Sequence, residues 1–226
     1  MDFLAELGGH LLGAPTTTEP KQYLPKEMLD GARACELYKR AANDYNDILS
    51  TKVLGGKIYM TGQYAEIGAP FDLDEGMYWL LRGAKMGDGQ SAFQLAGIFA
   101  SKMVPINIDL HIQWLLVADK FGYEPEAQQF LELAYACQRR ERNPNHCHAC
   151  SWCKVKEKIG GKKFLNCSKC KNALYCSREC QVKHFKMHNT ECKRSVEYTE
   201  AVEMIHNKID EGKLKAYPDW ELARMK

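Results

Sequence analysis

Apolar residues recur every three to four positions through the first 140 residues, which is the spacing of one face of a helix. The stretch that starts at Leu73 aligns with the stretch that starts at Ile108, at an offset of 35 residues. The matched positions are Asp74/Asp109, Trp79/Trp114, Leu80/Leu115, Leu81/Leu116, Lys85/Lys120, Gly87/Gly122 and Ala92/Ala127. A period in the thirties predicts stacked helix pairs, because one helical hairpin cannot bury its apolar face alone.

Polar residues and glycines mark the ends of the predicted helices. Asp74 and Asp109 are predicted to cap helix N-termini, as is Asp88 in the following helix. Gly87 and Gly122 lie where the preceding helices should end, in the position that favours glycine. These signals predict the same helix–turn–helix unit in both copies.

A third, looser copy lies upstream, in residues 37–42 and 54–59. Together the three copies, residues 31–138, resemble the Sel-one-like repeat, a relative of the tetratricopeptide repeat. The family's small and aromatic positions correspond here to Gly55-Gly56 before Tyr59, Leu95-Ala96 before Phe99, Gly83-Ala84 and Ala118-Asp119. The resemblance implies a short α-solenoid over residues 25–140 that presents a concave surface to proteins. Residues 1–24 are predicted to form an N-terminal helix and a linker.

Charge divides the chain into two halves. Residues 1–138 carry a net charge of −7 and residues 139–226 carry +9. The longest apolar run, residues 114–118, is far shorter than a membrane-spanning helix requires, so no membrane insertion is expected. The first fifteen residues contain no Lys or Arg, which is unlike a secretory or transit peptide, and the expected location is cytoplasmic or nuclear.

Cysteine is concentrated in one segment, where eight of the ten Cys lie between Cys147 and Cys192. In a reducing compartment such density with His indicates metal rather than disulfides. The candidate ligands are the pairs Cys150/Cys153, Cys167/Cys170 and Cys176/Cys180, followed by His188 and Cys192. Eight thiolate and imidazole ligands complete two tetrahedral zinc sites and leave no open position, which is typical of structural zinc.

The segment 150–192 closely resembles the MYND-type zinc finger. The residues that carry this resemblance are Tyr175-Cys176, Cys180-Gln181, His184-Phe185, His188 and Cys192. The family's cross-brace implies that Cys150, Cys153, Cys176 and Cys180 hold one zinc ion and that Cys167, Cys170, His188 and Cys192 hold the other. Two features depart from the family: residues 154–166 form a long loop, and Phe185 replaces the customary Trp.

Two alternatives concern the ligand set. Cys147 and Cys150 also form a C-x-x-C pair, which would shift the first knuckle and leave Cys153 unpaired. His184 lies within the motif, but eight ligands are counted without it, so it is predicted to support the site rather than bind zinc.

The finger is predicted to occupy residues 146–194 and to be followed, in residues 195–226, by a separate helix and a tail. Tyr198, Val202, Ile205 and Ile209 repeat at helical spacing, which predicts an amphipathic helix that packs on the finger or on the solenoid. The predicted fold class is therefore mainly α: a short α-solenoid of helix pairs, a zinc-stapled finger and a C-terminal helix.

The sequence predicts a non-catalytic adaptor with protein partners. It lacks a phosphate-binding G-x-x-x-x-G-K-[ST] loop, H-E-x-x-H and G-x-S-x-G. The resemblance implies that the finger binds short proline-containing peptides through Gln181 and Phe185. The competing interpretation is that Phe185 is buried and only holds the finger together. Alternative functions are a permanent structural subunit of a large assembly and, as a weaker candidate, a nucleic-acid-associated factor.

Overall fold

The computed structural model describes residues 31–60, 68, 70–101, 103–123, 126–141 and 148–217. The predictions for residues 1–24 and for Cys147 lie outside this part of the chain. The helices before the finger are α1 (Gly31–Tyr45), α2 (Ile48–Lys52), α3 (Leu73–Lys85), α4 (Gly89–Ala100), α5 (Ile108–Lys120) and α6 (Glu126–Glu141), and a π-helical segment, Val53–Met60, continues α2. None of the helices in the described residues has the length and apolar character needed to cross a membrane.

The 35-residue periodicity is a property of the structure as well as of the sequence. Trp79 and Trp114 are both buried, with exposed fractions of 3% and 0%. The turns after their helices contain Gly87 and Gly122 at φ of 91° and 77°. These φ values favour glycine, because a Cβ atom strains the backbone in this region. The chain is mainly α, as predicted; assignment of the pairs to the Sel-one-like family stays a prediction.

The N-caps of the two equivalent helices differ from those predicted. The capping side chains are Asp72, which accepts from the Glu75 amide, and Asn107, which accepts from the Leu110 amide. The prediction of Asp74 and Asp109 was wrong by two residues in both copies. Both lie in the first turn of their helices, where a carboxylate is favourable beside the helix dipole but does not form the cap. The predicted cap of α4, Asp88, is confirmed by its 2.7 Å bond from the Ser91 amide.

The first copy joins the others through close backbone packing. Gly55 lies against α3, and a Cβ atom at this position would come within 2.7 Å of the Leu80 side chain. The π-helical segment also contributes Leu54, Ile58 and Tyr59 to a small core with Trp79. Glycine at position 55 therefore lets the first copy lie directly on the second.

The finger contains a short antiparallel hairpin, β1 (Leu165–Asn166) and β2 (Leu174–Tyr175), with Leu165 opposite Tyr175. The hairpin is joined to the first knuckle, because the Ser151 amide donates a 2.8 Å bond to the Leu174 carbonyl oxygen. A separate small core forms around the buried Tyr175 and the zinc-ligand cysteines.

One helix, α7 (Arg178–Asp210), runs from the finger into the core of the helix pairs. The sequence predicted a finger that ends at residue 194 and a separate helix that begins at 195, but no break in the helix occurs there. The predicted amphipathic face is buried: Tyr198, Val202 and Ile205 belong to the main hydrophobic core with residues of α3–α6. Between residues 178 and 210 the chain contains no Gly or Pro, so nothing in its covalent geometry ends the helix at 194.

The C-terminal segment returns to the helix pairs beyond α7. The Tyr217 amide donates a 2.8 Å bond to the carbonyl oxygen of Gly87. A Cβ atom at position 87 would approach the Lys215 carbonyl oxygen to 2.2 Å. Gly87 is therefore needed for the docking of this segment as well as for its own turn.

Candidate metal centre

The two C-x-x-C knuckles have the same backbone geometry. The Lys154 amide donates a 3.0 Å bond to the Cys150 carbonyl oxygen, and the Lys171 amide donates an equal bond to that of Cys167. Both lysines have positive φ, 62° at Lys154 and 59° at Lys171. These turns direct the two sulfurs of each knuckle toward a common point.

The helix α7 supplies three of the other four ligands from one face, and the fourth, Cys176, lies just before the helix. Cys180, His184, His188 and Cys192 follow one another at intervals of four residues, which places them in a row along the helix. Ser177 caps the first turn, and its side chain accepts from the Cys180 amide at 3.4 Å. The helix therefore sets the distance between the first site, which contains Cys180, and the second site, which contains His188 and Cys192.

The first ligand group contains Cys150, Cys153, Cys176 and Cys180, and its ligand atoms lie within 4.8 Å of one another. The Cys153 and Cys176 sulfurs are 3.5 Å apart, as are those of Cys176 and Cys180. Cys150 is fully buried. All four positions of this site are filled with Cys153 included.

The second group contains Cys167, Cys170, His188 and Cys192, also within 4.8 Å. The sulfurs of Cys167 and Cys192 are 3.8 Å apart, and the Cys170 sulfur lies 3.5 Å from Nε2 of His188. The Glu191 carboxylate lies 3.9 Å from the other ring nitrogen, Nδ1, where an acidic group favours the tautomer that leaves Nε2 free for metal. The two groups coincide with the two sets implied by the cross-brace.

Zinc fits both groups in size. A tetrahedral ion with Zn–S bonds of about 2.3 Å needs sulfurs about 3.8 Å apart, close to the separations in each group. Three or four soft ligands with no space for a substrate suit a structural ion.

The pKa values of the cysteine thiols are also consistent with a bound cation. Burial raises the pKa of the Cys150 thiol, but the backbone amides of Cys176, Cys153 and Trp152 donate to its sulfur, outweigh burial and lower the pKa to about 6. Hydrogen bonds with neighbouring thiols raise the pKa of Cys176 to about 12, and burial raises that of Cys192 to about 12. Neighbouring thiols thus oppose one another's deprotonation. A divalent cation removes this conflict, because it stabilises all the thiolates together.

His184 lies outside both ligand groups. Its Nδ1 shares a 3.1 Å hydrogen bond with the hydroxyl of the buried Tyr175. Its ring stacks on that of His188, with the two centroids 5.4 Å apart. These contacts give it the supporting position that the sequence predicted.

The long loop 154–166 is held by Glu157, a residue that the sequence analysis missed. Glu157 is 7% exposed, accepts a 2.7 Å bond from the Phe164 amide and lies 3.7 Å from Nζ of Lys163. Its own amide donates to the His148 carbonyl oxygen at 2.7 Å. The amide bond to its carboxylate lowers the pKa of Glu157, although burial opposes this. The sequence did contain a signal for this role, because Glu157 is the one acidic residue in a lysine-rich loop.

The two residues predicted to bind a peptide lie together near the start of α7. Phe185 is 60% exposed and Val182 is 61% exposed. Gln181 is half-buried, and its Oε1 accepts from Nη1 of Arg178. The side chains of Gln181 and Phe185 are neighbours, because four residues separate them along the helix.

Comparison with known proteins identifies the finger. Residues 147–192 match the family model described as the MYND finger. No curated protein and no solved structure is similar enough to match the chain. From the family match and the two ligand groups, residues 147–192 form a MYND finger, a protein-interaction module, with sites for two zinc ions.

Proposed function

We propose that this chain is a non-catalytic adaptor. Its finger captures short proline-containing peptides at Gln181 and Phe185, and its helix pairs provide a second surface for protein partners. The zinc ions are structural, and neither takes part in a reaction. A reducing compartment, the cytosol or the nucleus, keeps the seven ligand thiols available for zinc.

The exposure of Phe185 is the observation that carries the proposal. An aromatic ring that served only to hold the finger together would be buried, as Tyr175 is at 0% exposure. Phe185 instead leaves 60% of its surface accessible, beside the equally exposed Val182. A ring in this position can pack against a proline, while the neighbouring Gln181 amide bonds to an extended backbone.

Closed zinc sites support the non-catalytic part of the proposal. Each ligand group already supplies four donors, so a tetrahedral ion has no position left for water or substrate. Metal-assisted hydrolysis requires such an open position.

A peptide-binding measurement on Phe185→Ala tests the proposal. The probe is a set of fluorescent peptide pools with one fixed proline and randomised apolar neighbours. Loss of an aromatic anchor costs about 2 kcal/mol, a weakening of roughly thirtyfold. Met187→Ala is the matched control, since Met187 is 67% exposed and lies two positions along the helix, on a different face.

Zinc content and melting temperature are measured for both variants. A Phe185→Ala protein that keeps two zinc ions but binds the pools weakly supports the peptide groove. A Phe185→Ala protein that loses zinc or stability supports a packing role instead. Unchanged binding by a stable variant excludes the groove.

A permanent structural subunit is the second candidate, favoured by apolar exposure on α1. Leu37 is 56% exposed and Tyr45 is 81% exposed, and the half-exposed Tyr38 lies on the same side of the helix. Obligate interfaces are more apolar than transient ones. A partner that co-purifies with the chain at fixed stoichiometry through high salt favours this candidate over a transient adaptor. The double variant Leu37→Ser, Tyr45→Ser should then lose that partner.

A further inference from the structure

Almost all exposed charged side chains of the finger are positive. Within residues 148–194, Glu179 is the single exposed carboxylate; Glu157 is buried, and the half-buried Glu191 lies beside His188. Eleven Lys and Arg side chains of this segment are exposed. They are Lys154, Lys156, Lys158, Lys162, Lys163, Lys169, Lys171, Arg178, Lys183, Lys186 and Lys193.

The zinc sites do not neutralise this charge. Residues 148–194 contain twelve Lys and Arg and three Glu. Seven thiolates and two zinc ions together contribute three negative charges, so a net charge of about +6 remains. This excess persists when the finger is loaded with metal.

The cations on α7 border the exposed apolar pair Val182 and Phe185. Arg178, Val182, Phe185, Lys186 and Lys193 recur at helical spacing along one side of the helix, and all five are exposed. The apolar pair Val182 and Phe185 thus has basic side chains before it, beside it and after it. A bound peptide that extends past Phe185 in either direction meets positive charge.

We infer that the finger selects peptides with acidic residues on both sides of an apolar, proline-containing core. This inference rests on the proposed groove at Gln181 and Phe185. Lysine dominates the border, and its flexible ammonium group attracts charge without demanding one geometry. The selectivity is therefore for acidic character, with no fixed position for each carboxylate.

A peptide fits these observations better than a nucleic acid. Phosphate binding needs the cations but not the exposed Val182 and Phe185 between them. The basic residues are also dispersed over a loop, two knuckles and a helix, and are not gathered on one element that could enter a groove of a duplex.

Three peptide pools test the inference on the zinc-loaded full chain. All contain one fixed proline with randomised apolar neighbours, and the flanks are Glu, Ser or Lys. Two or three surface ion pairs predict about tenfold tighter binding of the Glu pool than of the Ser pool at about 50 mM salt. The advantage should shrink at about 500 mM salt, because screening shortens the range of surface charges.

Charge reversal locates the effect. Lys186→Glu combined with Lys193→Glu should remove most of the preference for the Glu pool and leave binding of the Ser pool nearly unchanged. The matched control is Lys208→Glu with Lys213→Glu, two exposed lysines at the far end of α7 and just beyond it. The control should keep the preference.

The outcomes separate this inference from the proposed function. Equal affinity for the Glu and Ser pools overturns the inference and leaves the peptide groove intact. Failure of every pool to bind overturns the proposed groove itself. Tighter binding of a single-stranded or duplex RNA that displaces the Glu pool overturns the inference in favour of a nucleic-acid ligand.

Discussion

Cys192 and Tyr198 lie six residues apart on α7, yet Cys192 belongs to a zinc-ligand group and Tyr198 belongs to the core of the helix pairs. The Tyr198 ring is 5.5 Å from that of Phe99 and 6.4 Å from that of Trp114. Between them, Arg194 forms an ion pair with Asp74. The finger is therefore fixed to the helix pairs by a shared helix, so metal binding and packing of the core are mechanically connected.

The shared helix predicts that core substitutions in α7 destabilise the helix pairs. Ile205 is fully buried, so Ile205→Ala should lower the free energy of unfolding by about 2–5 kcal/mol. Met204→Ala is the neighbouring control, since Met204 is 37% exposed, and should cost much less. Urea unfolding followed by circular dichroism measures both. Equal and small effects would mean that α7 does not hold the core together.

The two ligand groups predict two zinc ions per chain. Cys150→Ser and His188→Ala should each remove one ion, because each takes a donor from a different group. His184→Ala should retain both, since its ring contacts Tyr175 and His188 but belongs to neither group. Atomic absorption on purified protein gives the ratio. Loss of zinc in His184→Ala with retention in His188→Ala would contradict the assignment.

The left-handed backbone of the second knuckle predicts a stabilising glycine. Lys171 has a φ of 59°, and relieving this conformation in Lys171→Gly should increase stability by about 1 kcal/mol. Lys169 is also exposed but has no positive φ, so Lys169→Gly should be neutral or destabilising. Competition with a chelator compares the zinc affinities of the two variants. A Lys171→Gly finger that loses zinc more readily would refute this account.

Buried His111 predicts a loss of stability in mild acid. Burial lowers the pKa of His111 to about 4, and its Nδ1 donates a 2.8 Å bond to the Ala96 carbonyl oxygen. Because the folded pKa lies below the unfolded value of about 6.5, the unfolded chain binds more protons between these values. Stability should therefore fall as pH falls, by about 2 kcal/mol between about pH 7.5 and 5.

The control for this prediction is His111→Gln, which lacks the titrating group. Acid also weakens zinc binding, but both proteins carry the same finger, so the difference between their pH profiles isolates His111. Unfolding in urea at the two pH values should show a flatter profile for the variant. Parallel profiles would show that His111 does not contribute.

Local chemistry could be predicted from the sequence because neighbouring residues decide it. The knuckle spacings and the four-residue steps predicted the eight ligands, since short turns and one helical face bring such donors together. The division of these ligands into two groups was implied by the resemblance to the MYND finger. The 35-residue period located the helix pairs, because each copy repeats the same local pattern of apolar residues and helix-ending glycines. The N-caps were missed by two residues, because each helix start has two polar residues two positions apart and only the backbone conformation decides which of them caps the helix.

Contacts between distant segments were decided by the tertiary structure alone. Spacing predicted an amphipathic face around Val202. Only the folded structure shows that this face packs against α3–α6 and that it lies on the same helix that begins in the finger. The sequence also left open whether Phe185 is buried or exposed, and why loop 154–166 contains Glu157. Both answers depend on which surfaces meet after folding, because distant segments of the chain decide whether a single side chain such as Phe185 or Glu157 is covered.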